Sequence, residues 1–224
     1  MQSFHRETSG EFYSQSMKEQ ILAESERLFW QHGVRSVTME DIARQLSISK
    51  KTIYQHFNDK EDILCQIMQA KAEADVVEMT CIANVTPNSI EEMMEMLQMI
   101  SKKQEQVNPC LFTEVRRYYS QAYKLIRQHV DNYIMKRIAN NILRGKEDGI
   151  YRDDINPLVM ARIRVEQIEL ALSSDFMLPG EINRLVIQCE LTHHFVRGML
   201  TEKGFDIYNK YVNKSTEYNQ PDNI

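Results

Sequence analysis

The sequence predicts an all-α protein in which a three-helix N-terminal domain precedes a larger helical domain, and three observations lead to that prediction. The chain has 224 residues, of which 42% are apolar, so it is long enough to bury a substantial core. It contains only 7 Gly and 5 Pro. Apolar residues recur at the 3.6-residue period over most of the sequence, which is the pattern of amphipathic helices.

The composition argues against several classes of protein. A net charge of −5 is not that of a protein that coats nucleic acid indiscriminately. No stretch is apolar enough to span a bilayer and no signal-peptide pattern precedes Glu7, so we expect a cytoplasmic protein. The sequence contains no Gly-rich phosphate loop, nucleophile elbow or HExxH motif. An enzyme is therefore not expected.

The cysteines and histidines do not form a metal or redox motif. The four cysteines are separated by 16, 29 and 79 residues, which matches neither a zinc site nor a Cys-x-x-Cys pair. Cys189 with His193, and Glu190 with His194, are i,i+4 pairs that could hold a metal, but a histidine at a helix interface is more often only hydrogen-bonded. We expect no metal and no cofactor.

Residues 38–60 carry the signals of two short helices joined by a tight turn. Thr38 can cap the first helix, because its hydroxyl can accept a hydrogen bond from an exposed backbone N–H. Ser49 can cap the second in the same way, and Ile53 and Phe57 lie four residues apart on its apolar face. Two helices in this arrangement form a helix-turn-helix.

The second helix has one continuous polar sector once its apolar residues point inward. Placing its residues at 100° intervals puts Lys51 and Gln55 at the centre of that sector. Four further polar residues flank the centre: Lys50, Thr52, Tyr54 and His56. Cations contact phosphates, and amides and hydroxyls read base edges in the major groove. We therefore expect this helix to bind double-stranded DNA.

The same segment resembles the DNA-binding domain of the tetracycline-repressor (TetR) family of bacterial transcriptional regulators. The matching positions are Val37-Thr38-Met39, Ile42-Ala43, Ser49-Lys50, Thr52-Ile53-Tyr54, His56-Phe57 and Lys60-Glu61. The chain departs from the pattern at Ser47, where many members carry Gly. The resemblance implies a homodimeric repressor that binds a palindromic operator and releases it when a small molecule binds the second domain.

Geometry and the resemblance together assign a DNA contact to eight residues of this segment. The predicted phosphate contacts are Thr38, Tyr54, His56 and Lys60. The predicted base contacts are Lys50, Lys51, Thr52 and Gln55. Lys is suited to guanine and Gln to adenine.

Start and stop signals divide the chain into four segments. They are a flexible arm at 1–15, the helix-turn-helix DNA-binding domain at 16–58, a helical effector-binding and dimerisation domain at 59–211 and a flexible tail at 212–224. The first domain opens with a helix from Ser16 to Gly33, and a long helix starts at an Asn58 cap and runs about 20 residues toward Ile82. Further helices are predicted over 87–106, 109–120, 121–145, 157–174 and 179–204, with one or two more turns at 205–211.

The last two long helices each have more apolar residues than one buried face requires. Two apolar faces imply two packing partners, of which one is the chain's own core. The other could be the same helix pair of a second subunit, as the resemblance implies, or a larger monomeric core. The predicted interface residues are Val165, Ile168, Leu172, Leu185, Cys189 and Val196.

The region from Met93 to His129 is rich in Met, Tyr and Arg, which can line a small-molecule pocket. Met and aromatic residues at helical spacing are also what an ordinary core contains. The predicted pocket residues are Met96, Met99, Phe112, Arg116, Tyr119 and Tyr123. A ligand there would tilt the long connecting helix and displace the DNA-reading helices. The alternative function is a helix-turn-helix DNA binder that is controlled by a protein partner and has no small-molecule effector.

Overall fold

The computed structural model describes residues 16–104, 107–108, 110–172 and 184–218. Within these ranges the chain consists of helices and connecting turns, and its one β-type pairing there is an isolated bridge between Tyr151 and Leu200. The all-α prediction is confirmed. The arm predicted at 1–15 lies outside the described residues. None of the described helices is long and apolar enough to span a membrane.

Eleven α-helices follow one another in the described residues, and a π-helical turn, Val130–Ile134, joins the seventh to the eighth. The α-helices are α1 (Met17–His32), α2 (Met39–Gln45), α3 (Lys50–Tyr54), α4 (Lys60–Val85), α5 (Ser89–Gln104), α6 (Leu111–Tyr118), α7 (Ser120–His129), α8 (Met135–Glu147), α9 (Pro157–Leu172), α10 (Arg184–Arg197) and α11 (Glu202–Tyr218).

Each of the first three helices begins at a capping residue, and the caps of α2 and α3 are those that the sequence predicts. Ser16 and Glu19 form a capping box at the start of α1, and Thr38 and Asp41 form another at the start of α2. Ser49 caps α3 by accepting the backbone N–H of residue 52 at 3.1 Å. Local hydrogen bonding therefore sets where these three short elements begin.

Two later helices begin one or two residues beyond the predicted position. The cap of α4 is Asp59, which accepts the backbone N–H of Asp62 at 2.8 Å, whereas Asn58 donates its own N–H to the Asp62 carboxylate at 3.0 Å. The start of α5 is capped by Asn88, whose side-chain oxygen accepts two backbone N–H groups of the first turn. In both cases an adjacent Asx residue satisfies the free donors better than the residue predicted.

The C-terminal end differs most from the prediction. The 17-residue helix α11 occupies the region where one or two turns and a flexible tail are predicted, and it runs as far as Tyr218. Tyr208 is buried in the core of the second domain, and Ile207, Tyr211 and Val212 pack against that core. Because these apolar residues are few and lie among charged ones, the 3.6-residue apolar period that predicts a helix is weak in this segment. The predicted start of the preceding helix, at Pro179, lies outside the described residues.

One hydrophobic core joins the helix-turn-helix to the second domain. Ile53 and Phe57 lie in the same buried cluster as Leu111 and Val115 of α6 and Ala122 of α7. The domain boundary predicted between residues 58 and 59 therefore passes through continuous packing and not through a linker.

The helix α4 runs along both parts of the molecule. Its 26 residues span about 39 Å at 1.5 Å per residue. Ile63 and Leu64, in its first turn, belong to the core around the helix-turn-helix, and Met79, near its other end, packs with Met96 and Met99 of α5. The helix α4 therefore connects the core around the helix-turn-helix with the packing of α5.

A buried carboxylate ties α5 to α8. Glu92 is only 1% exposed and forms ion pairs with Arg137, at 3.0 Å, and with Arg144. Asn141 donates its side-chain amide to the Glu92 carboxylate at 2.8 Å and to the carbonyl of Ser89 at 2.9 Å. Three donors on one helix thus compensate the desolvation of one carboxylate on another.

We expect Glu92→Gln to lower the free energy of unfolding by about 3 kcal/mol, because two arginines would then face a neutral amide in a largely buried site. Urea-induced unfolding measures this change. Glu147→Gln, which alters an exposed carboxylate of α8, is the matched control and should change stability by about 0.5 kcal/mol or less. Equal effects of the two substitutions would show that Glu92 has no special role.

Ser47 is the only non-glycine residue in the described ranges that adopts a positive φ, with a value of 55°. It lies in the turn between α2 and α3, where the Ile48 N–H donates to the Ala43 carbonyl at 3.0 Å. This turn geometry explains why glycine is common at the position in the family that the sequence resembles. An L-residue pays a steric penalty of about 1 kcal/mol in this conformation.

We expect Ser47→Gly to raise the free energy of unfolding by about 0.5 kcal/mol, since relief of the steric penalty exceeds the extra entropy of glycine in the unfolded chain. The melting temperature should rise by about 1 to 2 °C. Ser49→Gly, in the same turn but at a φ of −80°, removes the cap of α3 and should lower the melting temperature. A drop with Ser47→Gly would indicate that the serine side chain stabilises the turn.

Candidate nucleic-acid interface

The third helix presents to solvent the polar sector that the sequence predicts. Ile53 and Phe57 point inward and are 0% and 2% exposed. Thr52 is half-buried. The exposed residues of α3 and of the turn that follows it are Lys50, Lys51, Tyr54, Gln55 and His56. Six of the eight predicted contact residues therefore lie on one short element whose opposite side is in the core.

The two lysines of this surface have different electrostatic surroundings. Lys50 forms an ion pair with Glu40 of α2, and this hydrogen bond raises the pKa of Lys50 and lowers the pKa of Glu40. Its ammonium also lies 5.8 Å from the ring centroid of Tyr54. Lys51 forms no ion pair with any described residue. Lys51 is thus the cation of α3 whose charge is not offset by a neighbour.

The hydroxyls of the two threonines are engaged in helix capping. Thr38 Oγ1 donates to Asp41 Oδ2 at 2.7 Å and accepts the Asp41 N–H at 3.2 Å. Thr52 Oγ1 lies 2.8 Å from Ser49 Oγ. Thr38 remains exposed at the start of α2, close in sequence to the turn that leads into the helix.

Lys60 is placed differently from the other predicted phosphate contacts. Its ammonium donates to the carbonyls of Val34 and Val37, each at 2.7 Å, and the side chain is half-buried. Burial lowers the pKa of Lys60. The residue holds the loop between α1 and α2 against the start of α4, because two carbonyls that lack helical partners accept its protons. This placement argues against the predicted phosphate contact, which the sequence could not distinguish from an inward-pointing lysine.

Contacts from α6 and α7 also hold the DNA-reading domain. Glu114 accepts the backbone N–H of Arg35 at 3.0 Å, and the Arg35 guanidinium lies 4.8 Å from the ring centroid of Tyr118. Glu61 accepts the backbone N–H of Gln121 at 2.8 Å. None of these pairs has a sequence signal, because the partners lie at least 60 residues apart.

The apolar residues among the six predicted pocket residues are divided between separate hydrophobic clusters. Met96 and Met99 are buried in the small cluster with Met79. The aromatic residues lie elsewhere: Tyr119 and Tyr123 pack against the core around the helix-turn-helix, and Phe112 makes an edge-to-face contact with Tyr123 at 6.3 Å. Arg116 is exposed on the surface of α6. Periodicity correctly identified apolar residues but could not indicate that they belong to two separate clusters.

A cleft of about 330 Å³ lies instead between α4 and α7 and extends to the π-helical turn. Its apolar lining includes Met68, Ala72 and Leu125. His129 and Tyr133 stack within it at a centroid distance of 5.6 Å, and burial lowers the pKa of His129. The buried Nε2 atom of His129 has no hydrogen-bond partner among the described residues. Asp75 Oδ2 lies 3.9 Å from this atom, beyond hydrogen-bonding distance, so the cleft combines an apolar wall with a buried imidazole nitrogen.

The predicted dimer residues are largely turned toward the chain's own core. Val165 is 2% exposed and Val196 is 0% exposed, and both belong to the core of the second domain. Ile168, Leu185 and Cys189 are half-buried, and the side chain of Leu172 lies outside the described set. Burial at Val165 and Val196 is complete without a partner chain, so these two assignments are corrected.

Other apolar residues of the same helices are exposed. On α9 these are Val159, Ile163 and Leu170, which are 54%, 42% and 41% exposed, and on α10 it is Val186, which is 51% exposed. The three positions on α9 are spaced by four and seven residues and so lie on one face. The helix α9 thus has a second, exposed apolar face, whereas Val186 is the one such residue described on α10, and a one-dimensional pattern does not say which face meets the chain's own core.

The exposed polar face of α3 and the buried residues beneath it have the geometry of a helix-turn-helix, the class of motif whose second helix enters the major groove of DNA. Residues 21–67 match the family model of bacterial regulatory proteins of the tetR family. YvaF of Bacillus subtilis, an HTH-type transcriptional regulator, is 32% identical over 108 residues, which are 48% of this chain and 56% of YvaF. TtgR of Pseudomonas putida, another HTH-type transcriptional regulator, is 32% identical over 60 residues, which are 27% of this chain and 29% of TtgR. The chain thus spans about half the length of the first relative and less of the second.

Solved structures match a larger part of the chain. A regulator from Saccharomonospora viridis in complex with choline superimposes with a TM-score of 0.70 at 18% identity, covering 83% of this chain and 98% of the other. A TetR-family regulator from Agrobacterium tumefaciens gives a TM-score of 0.68 at 15% identity, covering 82% and 97%. Similarity at this level of identity shows a shared fold. Residues 21–67 thus resemble the tetR-family model, and the described chain shares its fold with solved TetR-family regulators.

Proposed function

We propose that the protein is a sequence-specific transcriptional repressor that binds a palindromic operator as a homodimer and releases it on binding a small molecule. The observation that carries the proposal is the exposed polar face of α3, with Lys51 at its centre and Ile53 and Phe57 buried beneath it. A helix so placed can enter a major groove, where lysine and glutamine recognise guanine and adenine. Because the chain as a whole carries a charge of −5, binding depends on this local surface and falls steeply with salt.

Dimerisation follows from the limited reach of one reading helix. The helix α3 has five residues and contacts too few base pairs for a specific site, whereas two copies address half-sites one helical turn apart. The exposed apolar residues of α9 and α10, Val159, Ile163, Leu170 and Val186, offer a surface for two-fold pairing of the two helices. Burying such residues in a four-helix interface removes them from water.

Effector control acts through the cleft between α4 and α7. A ligand in this cleft lies against the middle of α4, close to Lys71, which lines the cleft and forms an ion pair with Glu26 of α1. A ligand that prefers a different tilt of α4 would rotate the two reading helices out of register with successive major grooves. That one structural neighbour was solved with a bound small molecule, choline, is consistent with such control.

The second candidate function is a helix-turn-helix DNA binder that is controlled by a protein partner and has no small-molecule effector. It is favoured by the scatter of the predicted pocket residues and by the exposed apolar residue Val77 on α4, which is 71% exposed. The two candidates share the DNA-binding step and differ only in what binds the second domain.

Alanine substitutions on α3 test the DNA-binding step. We expect Lys51→Ala and Tyr54→Ala each to weaken binding to the DNA upstream of the protein's own gene by roughly 10- to 100-fold, because each removes a groove or phosphate contact. Electrophoretic mobility shift measures the affinity, and circular dichroism confirms that the variants are folded. Lys124→Ala, an equally exposed lysine on α7, is the control for loss of a positive charge. Wild-type affinity in both α3 variants would rule out this reading surface.

A charge on the exposed face of α9 tests dimerisation. We expect Ile163→Glu to convert the dimer to a monomer and to reduce operator affinity by more than about 100-fold, because it buries a carboxylate without a partner in the interface. Sedimentation velocity gives the oligomeric state. Leu143→Glu is the matched control, since Leu143 on α8 is 47% exposed against 42% for Ile163. If Ile163→Glu remains dimeric, the interface lies on another surface.

Filling the cleft tests effector control. A metabolite that raises the melting temperature of the protein should release operator DNA over the same range of concentrations. Ala72→Phe places a ring in the cleft, so this variant should still bind DNA but should show neither the rise in melting temperature nor the release of DNA. Ala70→Phe, at an exposed position on the same helix, should bind DNA and show both responses to the metabolite. Tight DNA binding together with a failure of every screened metabolite to shift the melting temperature would favour control by a protein partner.

A further inference from the structure

Four polar side chains with buried polar atoms lie on α9 and α10, and two of them, Arg164 and Thr192, are in contact across the two helices. Arg164 and Gln167 are spaced i,i+3 on α9, and Gln188 and Thr192 are spaced i,i+4 on α10. Arg164 is 2% exposed, and Gln188 and Thr192 are 0% exposed. We refer to these four residues as the Arg164 cluster.

The hydrogen bonds within the Arg164 cluster leave much of its polar capacity unused. Arg164 Nη2 donates to Thr192 Oγ1 at 2.5 Å, and the Thr192 hydroxyl donates to the backbone carbonyl of Gln188 at 2.8 Å. The buried atoms without a hydrogen-bond partner are Arg164 Nη1, Gln167 Oε1, and Gln188 Nε2 and Oε1. They are four of the eight such side-chain atoms found among the described residues. Native proteins leave few buried polar atoms unpaired, so a concentration of them in one place calls for an occupant.

The charge of Arg164 sharpens this argument. No carboxylate of the described residues forms an ion pair with Arg164. By contrast, Glu169, which is also on α9, pairs with Arg127 of α7. Burial lowers the pKa of Arg164 to about 10, so the guanidinium is still protonated at neutral pH. The ring of Phe195, 5.8 Å away, offers only weak compensation. A buried cation without a counter-ion is strongly unfavourable, and an anion would remove that cost.

We propose that the Arg164 cluster binds a small carboxylate that also carries a hydroxyl group. The guanidinium and the Gln188 amide nitrogen supply N–H donors for the carboxylate, and guanidinium–carboxylate pairs are among the strongest charged hydrogen bonds in proteins. The unpartnered oxygens of Gln167 and Gln188 accept a hydrogen bond from the hydroxyl. The site carries a single positive charge, so a monoanion neutralises it, whereas the phosphate dianion, which predominates at about pH 8, would leave a net negative charge buried.

The proposed site is independent of the DNA-binding proposal, since it concerns binding to the protein alone. It also has a structural consequence, because α9 and α10 carry the exposed apolar residues proposed for dimerisation. A carboxylate held by both helices would fix their relative position.

The first test removes the charge in the absence of any carboxylate. We expect Arg164→Met to raise the melting temperature of the full-length protein in HEPES buffer with sodium chloride by about 3 °C or more, because a lone buried charge is replaced by an apolar side chain of similar length. Arg152→Met, on the surface, should leave the melting temperature within about 1 °C. A fall with Arg164→Met would show that the guanidinium already has a partner and would overturn the proposal.

The second test measures binding directly by isothermal titration calorimetry and thermal shift at constant ionic strength. The probes are the hydroxyacids lactate and 3-hydroxybutyrate. The controls are propionate and butyrate, which lack the hydroxyl, propane-1,2-diol, which lacks the carboxylate, and inorganic phosphate. At about a hundred times Kd the hydroxyacids should raise the melting temperature by roughly 5 to 10 °C, the plain acids by less, and the diol not at all. Arg164→Met should abolish the response, and Gln188→Leu, which retains the cation, should reduce it.

Other outcomes of the second test would contradict the proposal or one of its parts. Failure of every carboxylate to bind, or an equal response in Arg164→Met, would overturn the site. With phosphate tested at about pH 8, where it is mainly the dianion, an equal response would overturn the charge-matching argument and indicate an adventitious ion only. Operator binding is measured with the same samples, so that a carboxylate that binds without affecting DNA supports this site and leaves the effector proposal to be judged on its own.

Discussion

The burial of Ile53 and Phe57 is the constraint on which the rest of the structure depends. The five-residue helix α3 is too short to be stable by itself, so these two side chains fix its position by entering the core. That core also contains Leu111 and Val115 of α6. The surface proposed to contact DNA and the first helices of the second domain therefore share one packed interior. A change in the packing of α6 must be felt beneath α3, since close-packed side chains transmit displacement instead of absorbing it.

Local features of the N-terminal third could be predicted from the sequence because they depend on neighbours in the chain. Caps such as Ser16 and Thr38 and the inward pair on α3 follow from spacings of three and four residues. The left-handed turn at Ser47 was marked only by the absence of an expected glycine. The same local reasoning does not predict the contacts of Lys60 within the protein, because the carbonyls that hold its ammonium lie more than 20 residues away in sequence.

Longer-range relations in the second domain were less accessible for a physical reason. Helical periodicity shows that a residue faces some apolar surface but does not identify that surface. Val165 was consequently assigned to a dimer face although it lies in the chain's own core, and Met96 and Tyr119 were placed together although they belong to different clusters. The buried charges show the same limit. Glu92 is surrounded by donors and Arg164 lacks an acceptor, and neither environment can be inferred from the residues adjacent in sequence.

The ion pair between Lys50 and Glu40 has a consequence for how DNA binding would depend on salt. A free lysine that meets a phosphate displaces a condensed counterion from the DNA, and the loss of affinity with salt counts such contacts. Lys50 must first leave Glu40, and the carboxylate left behind attracts a cation of its own from solution. One ion is released and another is taken up, so this exchange is nearly neutral in the ion balance. The number of phosphate contacts derived from the salt dependence of binding would therefore be smaller than the number in the complex. Lys50 would contribute to position and base recognition and yet change the salt dependence very little.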